Sequence, residues 1–261
     1  VVLRPIGEIN LCDLTAIARL QGRESLPYPF ACTHPPDQHD KRISTAADRF
    51  DHGELSVFRE WIGDYVSAQI WVACRVHHSR ADAADRRILA YRAGETGYLA
   101  TQRNDKGVVD VSALSALDLG AAIASSVGLA QPGTWPRIII PGYVEMFGHR
   151  VATEYDDCGD AVYSASVAVH RSPRSAHEVV DDDRVTAVAT IQSRWQPPRR
   201  WGVDWTKNFI TFIQVDGDGD YIYAPDFSHA VPLDEQLLSG RIDELIVEDV
   251  SALRSACRPM Y

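Results

Sequence analysis

Three aspartates at alternate positions, Asp216, Asp218 and Asp220 in "FIQVDGDGDYIYAPD", raise the question of a bound cation or a cradled phosphate. An EF-hand loop needs oxygens at its positions 1, 3 and 5, glycine at 6 and a bidentate glutamate at 12. Counted from Asp216, position 6 is Tyr221 and position 12 is Phe227, so both decisive places fail. A dinucleotide fingerprint fails too, because Ile222 stands where the third glycine belongs. An Asp-Gly step between two alternating apolar runs is a hairpin signal, since glycine accepts the positive φ of such turns. The stretch reads as a turn.

Other candidate chemistry is weaker. "HEVVD" (177–181) opens like a zinc-protease helix, but Asp181 sits where the second histidine should be. His34 and His39, with Asp37 and Asp40 beside them, could ligate a metal; their polar, proline-led setting favours solvated capping. His77 and His78 are neighbours in an alternating run and so point to opposite faces. There is no G-x-S-x-G elbow, no Walker A loop and no C-x-x-C pair. No motif argues for catalysis, and no cofactor or metal is expected.

The elements that would position these residues follow from periodicity. Asn10 should cap a first helix through Leu11, Leu14, Ile17 and Ala18 that stops near Gly22, before "LPYPF". A helix should restart after Pro36. Another should follow Gly53, with Leu55, Phe58, Ile62, Tyr65 and Val66 on one face. From Ile70 the period becomes two: Ile70, Val72, Cys74, Val76 and His78 on one side, Trp71, Ala73, Arg75 and His77 on the other. A polar loop (77–87) leads to "ILAYRA", "GETG" turns into "YLATQ", and "NDKG" turns into "VVDV". A helix over "ALSALDLGAAIASSVG", capped by Gly128, and a short apolar run "PRIIIP" complete this half. The segment from Gly142 to Asp183 reads as linker plus one or two helices. "RVTAVATIQSR", "NFITFIQV" and "YIYA" are strands, and "LDEQLLSGRIDELI" is a helix facing inward through Leu238, Ile242, Leu245 and Ile246. Short hairpins joining consecutive strands predict an antiparallel meander. Strands, a tight hairpin and a closing helix occur twice, which is a weak internal pseudo-symmetry. The expectation is one domain over 1–261, with halves 1–141 and 184–261 flanking the 142–183 segment.

Composition narrows the function classes. Of 261 residues, 26 are Lys or Arg and 36 are Asp or Glu, giving a net charge of -10, which disfavours phosphate-backbone binding. The five scattered cysteines suit a reducing compartment, several as core fillers. The opening "VVLRPIGEIN" carries no signal-peptide pattern, so the expected location is the cytosol. Trp195, Trp201 and Trp205 crowd the second half; aromatic residues favour interfaces, but core or sheet packing is the expectation here.

Taken in order, these elements resemble the EspG family, cytosolic chaperones of the actinobacterial ESX (type VII) secretion systems. The resemblance is carried by "SLPYPF" after the first helix, "RRILAYRAGETGYLATQ", "LDLGAAIASSVGL" before "WPRIIIP", "RWGVDWTKNFITFIQVDGDGDYIYAP" and "PLDEQLLSGRIDELI". It implies an α+β fold, an antiparallel sheet packed with helices in two quasi-symmetric halves. It also implies binding to a PE–PPE heterodimer through the apolar helical tip of PPE, without enzymatic activity. By position, the loop that contributes to that surface corresponds to His78–Arg86, whose Arg80, Asp82, Asp85 and Arg86 would form a polar rim. Trp71 and Arg75 on the adjoining strand face are further candidates, although stacking of Arg on Trp within the sheet explains them equally well. Two other classes remain open at this stage. One is a ligand-sensing or toxin-neutralising module. The other is a metal-dependent hydrolase gathering His34, His39, His77 and His177.

Overall fold

In the computed structural model, residues 1–22, 26–31, 46–79, 83–103, 107–142, 178–195 and 202–256 are described. The centre is an antiparallel pair, β2 (Ile70–His78) and β8 (Val185–Arg194), registered from Trp71 opposite Arg194 to His78 opposite Ala187. From β2 the chain steps outward through β3 (Arg86–Ala93), β4 (Thr96–Arg103) and β5 (Val108–Ser115); β1 (Arg4–Asn10) closes that side. From β8 it steps outward the other way through β9 (Ile210–Val215), β10 (Asp220–Tyr223) and β11 (Ala230–Pro232). Among the described residues, the two-residue strands β6 (Ile138–Ile139) and β7 (Glu178–Val179) finish this edge of an eleven-stranded sheet. Each meander is followed by a helix, α3 (Leu119–Ser126) after β5 and α4 (Glu235–Ala256) after β11. The fold is α+β, with β2 and β8 as the seam between the two sets of strands.

Period-two alternation sends alternate residues of each strand to opposite faces. Ile70, Val72, Cys74 and Val76 meet Ala187, Ala189, Ile191 and Phe212 beneath Leu119 and Ile123 of α3 and Leu238, Ile242 and Leu245 of α4. Burial pushes the Cys74 thiol far up, so it serves as a small apolar filler. On the other face, α1 (Leu11–Leu20) and α2 (Arg59–Ser67) cover Trp71, Leu89, Tyr91 and Tyr98. The Asn10 side chain caps α1 as expected, accepting from Cys12 N–H at 2.8 Å. A third cluster joins Ile213, Val215, Tyr221, Tyr223 and Phe227 to Ile138, Ile140 and Val180.

Arg4–Asn10, where the sequence pattern predicts no element, form strand β1, paired with β5. Three expectations need correcting. Ala113–Ser115 continue β5 instead of opening a helix, because β4 and β1 hold this strand on both sides. Val66 is 54% exposed. Glu54–Phe58 wind as a 3-10 turn, and Trp61 joins Ile62 and Tyr65 on the inward face. At 3.6 residues per turn that arrangement leaves Val66 about 90° from the centre of the face. The last helix runs ten residues beyond Ile246, to Ala256. The helix expected after Pro36 lies outside the described residues except for its end, 46–51, and most of 142–183 also lies outside them.

Two glycines fix the arrangement. Gly217, at φ +70°, turns β9 into β10, where Val215 N–H donates to Gly219 O at 2.9 Å. Gly120 brings α3 against α4; a Cβ there would sit 2.9 Å from Ser239 O and collide with Asp243. Replacing Gly217 by Ala should cost about 1–2 kcal/mol in urea unfolding, and by Asn clearly less, because space is open there and only backbone conformation is at stake. Gly120→Ala should cost about 1–3 kcal/mol, since a backbone oxygen must give way. A neutral result for Gly120→Ala would mean that α3 and α4 slide freely.

Candidate functional site

The alternating aspartates act within the chain. Asp218 Oδ1 accepts from Thr134 N–H and Oγ1–H at 2.8 and 2.7 Å, and its Oδ2 accepts from the Tyr221 hydroxyl at 2.5 Å. Asp220 is fully buried and its Oδ2 accepts from Ala130 N–H at 2.5 Å. Together they pin the segment 130–135 across the hairpin, where Gly133 lies against the Tyr221 ring. Burial raises the Asp218 carboxyl, but the Tyr221 and Thr134 hydrogen bonds outweigh it and hold the group low. At Asp220 burial wins and the carboxyl is raised. The stretch is a turn that also fastens a strap.

The residues named around the β2–β3 connection divide between faces. Asp85 is the hub: it accepts from His77 Nδ1 at 2.8 Å, Arg75 Nη2 at 3.2 Å, Arg87 Nη2 at 3.5 Å and His78 N–H at 3.3 Å. Asp85 is therefore engaged by its own strand neighbours and is not an open rim charge. Arg75 pairs with Asp85, while the Trp71 ring is edge-on to Tyr65 at 6.2 Å. Trp71 is 4% exposed, its indole N–H donating to Tyr65 O. It is a core residue and offers little surface. Arg86 is opposite Val76, on the face toward α3, and donates to Ser126 O at 3.2 Å, a cation placed at a helix C-terminus. His78 shares the Val76 side of the strand. Arg80, Asp82, His34, His39 and His177 lie outside the described residues, which contain no group of three or more His, Cys, Asp or Glu arranged to hold a metal ion.

A concavity lies elsewhere. An open groove of about 860 Å³ crosses the ends of β9 and β10 beside α4. Its apolar surface comes from Trp205, Phe209, Ile222, Tyr223, Phe227 and Leu245. Phe209 anchors the aromatic side, with Trp205 edge-on at 5.1 Å and Phe227 tilted at 5.5 Å. Phe227 takes a left-handed backbone, φ 56°, at the 224–228 turn, and its ring is buried. Of the three tryptophans expected in core or sheet packing, Trp195 does pack against the core, Trp205 is 43% exposed, and Trp201 lies outside the described residues. The loop carrying it is built: Gln192 Nε2 donates to Asp204 O at 2.7 Å, Asp204 N–H returns to Gln192 Oε1 at 2.8 Å, and Asp204 Oδ1 accepts from Thr206. An exposed indole on a braced loop is preorganised for contact. The aromatic crowding in the sequence was the only signal of it. The partners across the groove, on α4, are some forty residues away.

The groove's rim is charged. Lys207 Nζ meets Asp249 at 2.5 Å, Arg241 meets Glu244 at 3.0 Å, and Asn208 Nδ2 donates to Glu248 at 2.9 Å. Apolar side chains, an exposed indole and charged groups thus meet along one open groove.

No protein-family model matches the chain. No curated protein matches it either. Among solved structures, it is similar to the Mycobacterium tuberculosis type VII secretion system chaperone EspG5, determined in complex with the PE25–PPE41 dimer. The likeness has a TM-score of 0.51 at 11% identity, covering 92% of this chain and 95% of that one. It establishes a common fold.

The Asp85 cluster sets a pH dependence. Burial acts to raise the Asp85 carboxyl, but hydrogen bonds from His77 and Arg75 prevail and its folded pKa is lowered. A lowered carboxylate stabilises the fold above its unfolded value, about 3.9, and that contribution is lost as pH falls through the folded value. Urea midpoints measured between about pH 6 and 2 should therefore fall less steeply in Asp85→Asn than in the parent. Parallel acid limbs would show that the cluster contributes nothing to folding.

Proposed function

We propose that this chain is a non-enzymatic chaperone of type VII secretion that holds a PE–PPE heterodimer by the helical tip of PPE in the cytosol. One observation carries the reading: the fold of a chaperone solved with such a dimer extends over nearly the whole of both chains. The groove supports it, because a helical tip needs a concave apolar surface with an aromatic anchor, and Trp205, Phe209 and Leu245 supply one. The β2–β3 connection, bounded by His78 and Arg86, is proposed as a second, polar contact, with Arg75 and Asp85 holding its base. The scale is right as well. An 860 Å³ groove accepts a few large side chains from a partner, as a specific interface core does.

Co-expression with PE–PPE pairs of the same genome, capture through this chain and size-exclusion chromatography test the proposal. The expected result is one co-eluting complex of three polypeptides. Trp205→Ala, at an exposed position that leaves the core intact, should weaken that complex by about 2 kcal/mol, roughly thirtyfold. Failure of every pair to co-elute with a folded chain would remove the chaperone reading. Unchanged affinity in Trp205→Ala would move the contact away from the groove.

A further inference from the structure

Resting on that reading, the charges around the groove point to the chemistry of its occupant. Two of the rim cations are already satisfied: Lys207 by the buried Asp249, and Arg241 by Glu244, its neighbour three residues on. Glu248 differs. It is exposed, lines the groove directly, and receives a hydrogen bond only from the neutral Asn208 side chain. Among the described residues no cation pairs with it. With Glu244 paired to Arg241 and Asp249 buried against Lys207, Glu248 leaves the α4 wall with one negative charge in excess at the groove. The chain as a whole carries -10, which adds a long-range field of the same sign.

We propose that the groove takes a helix tip whose apolar residues are flanked by lysine or arginine, with one cation paired to Glu248. Apolar side chains alone would fill the floor between Trp205 and Leu245 equally well in many registers. A cation at the flank fixes one register and excludes tips flanked by acid. The pair lies at the rim, half in water, so its effect belongs mainly to association rate and selectivity.

Two helical peptides of about 20 residues, with leucines at i, i+3, i+4 and i+7, separate this from the parent reading. They differ only in their flanks, lysine in one and glutamate in the other. With the full chain at about 50 mM salt, the lysine-flanked peptide should bind about fivefold tighter. The difference should vanish near 0.5 M salt, where screening is short-ranged. Glu248→Lys, at an exposed helix position, should reverse the order, and its thermal midpoint verifies that it folds. Equal binding of both peptides, lost alike in Trp205→Ala, overturns the cation pairing and leaves the groove as the docking site. Binding of neither, while the three-polypeptide complex still forms, also overturns it and leaves the chaperone reading intact. Absence of that complex as well defeats the chaperone reading itself.

Discussion

The pairing of β2 with β8 is the contact on which the rest of the molecule depends. Residues more than one hundred positions apart are registered over eight consecutive pairs, and each meander grows outward from that seam. The seam also decides what lies above it. The inward-facing residues of the two strands form one apolar strip, and α3 and α4, one from each half, are drawn onto it together. Gly120 sets how closely they meet. Joining two half-sheets edge to edge gives each half a paired inner edge and a shared core, which neither meander has alone.

Much of this was legible in the chain, because the signals were local. Alternation over 70–78 and 185–194 stated which residues share a face, and the structure places Ile70, Val72, Cys74 and Val76 with Ala187, Ala189 and Ile191. The Asn10 cap, the Asp-Gly turn and Gly128 at the end of α3, with φ +74°, were readable for the same reason. What was missed depends on distant partners. "RPIGEIN" contains Pro and Gly and has little strand propensity, yet β5 enlists it as a neighbour. The strand character of Ala113–Ser115 is likewise imposed by the chains on either side. The groove is the extreme case: Trp205, Phe227 and Leu245 belong to a loop, a turn and a helix, and no spacing rule connects them.

The two polar constellations show how similar residue types come to different ends. Around Asp85, donors from Arg75, His77 and Arg87 converge on one carboxylate and lock the strand ends together. Such closure leaves little for a partner. At the α4 wall the charges are spread along the outer side of a helix, and Glu248, which lines the groove, is bonded by an amide. Desolvation by a partner would strengthen any charge pair formed there. The aromatic side is rigid and the acidic side is solvated, so shape and sign are supplied by separate elements. Either can vary without disturbing the sheet that carries both.

The outer strands have a consequence of their own. On one margin stands β1, where Pro5 has no N–H to offer and the register slips between Pro5 and Gly7. On the other margin stand β6 and β7, two residues each. Neither margin gives an incoming strand a long, regular ladder on which to zip. A helix docking in the groove, as proposed, would leave these margins as they are, so the described edges of the sheet would still offer other strands little to pair with.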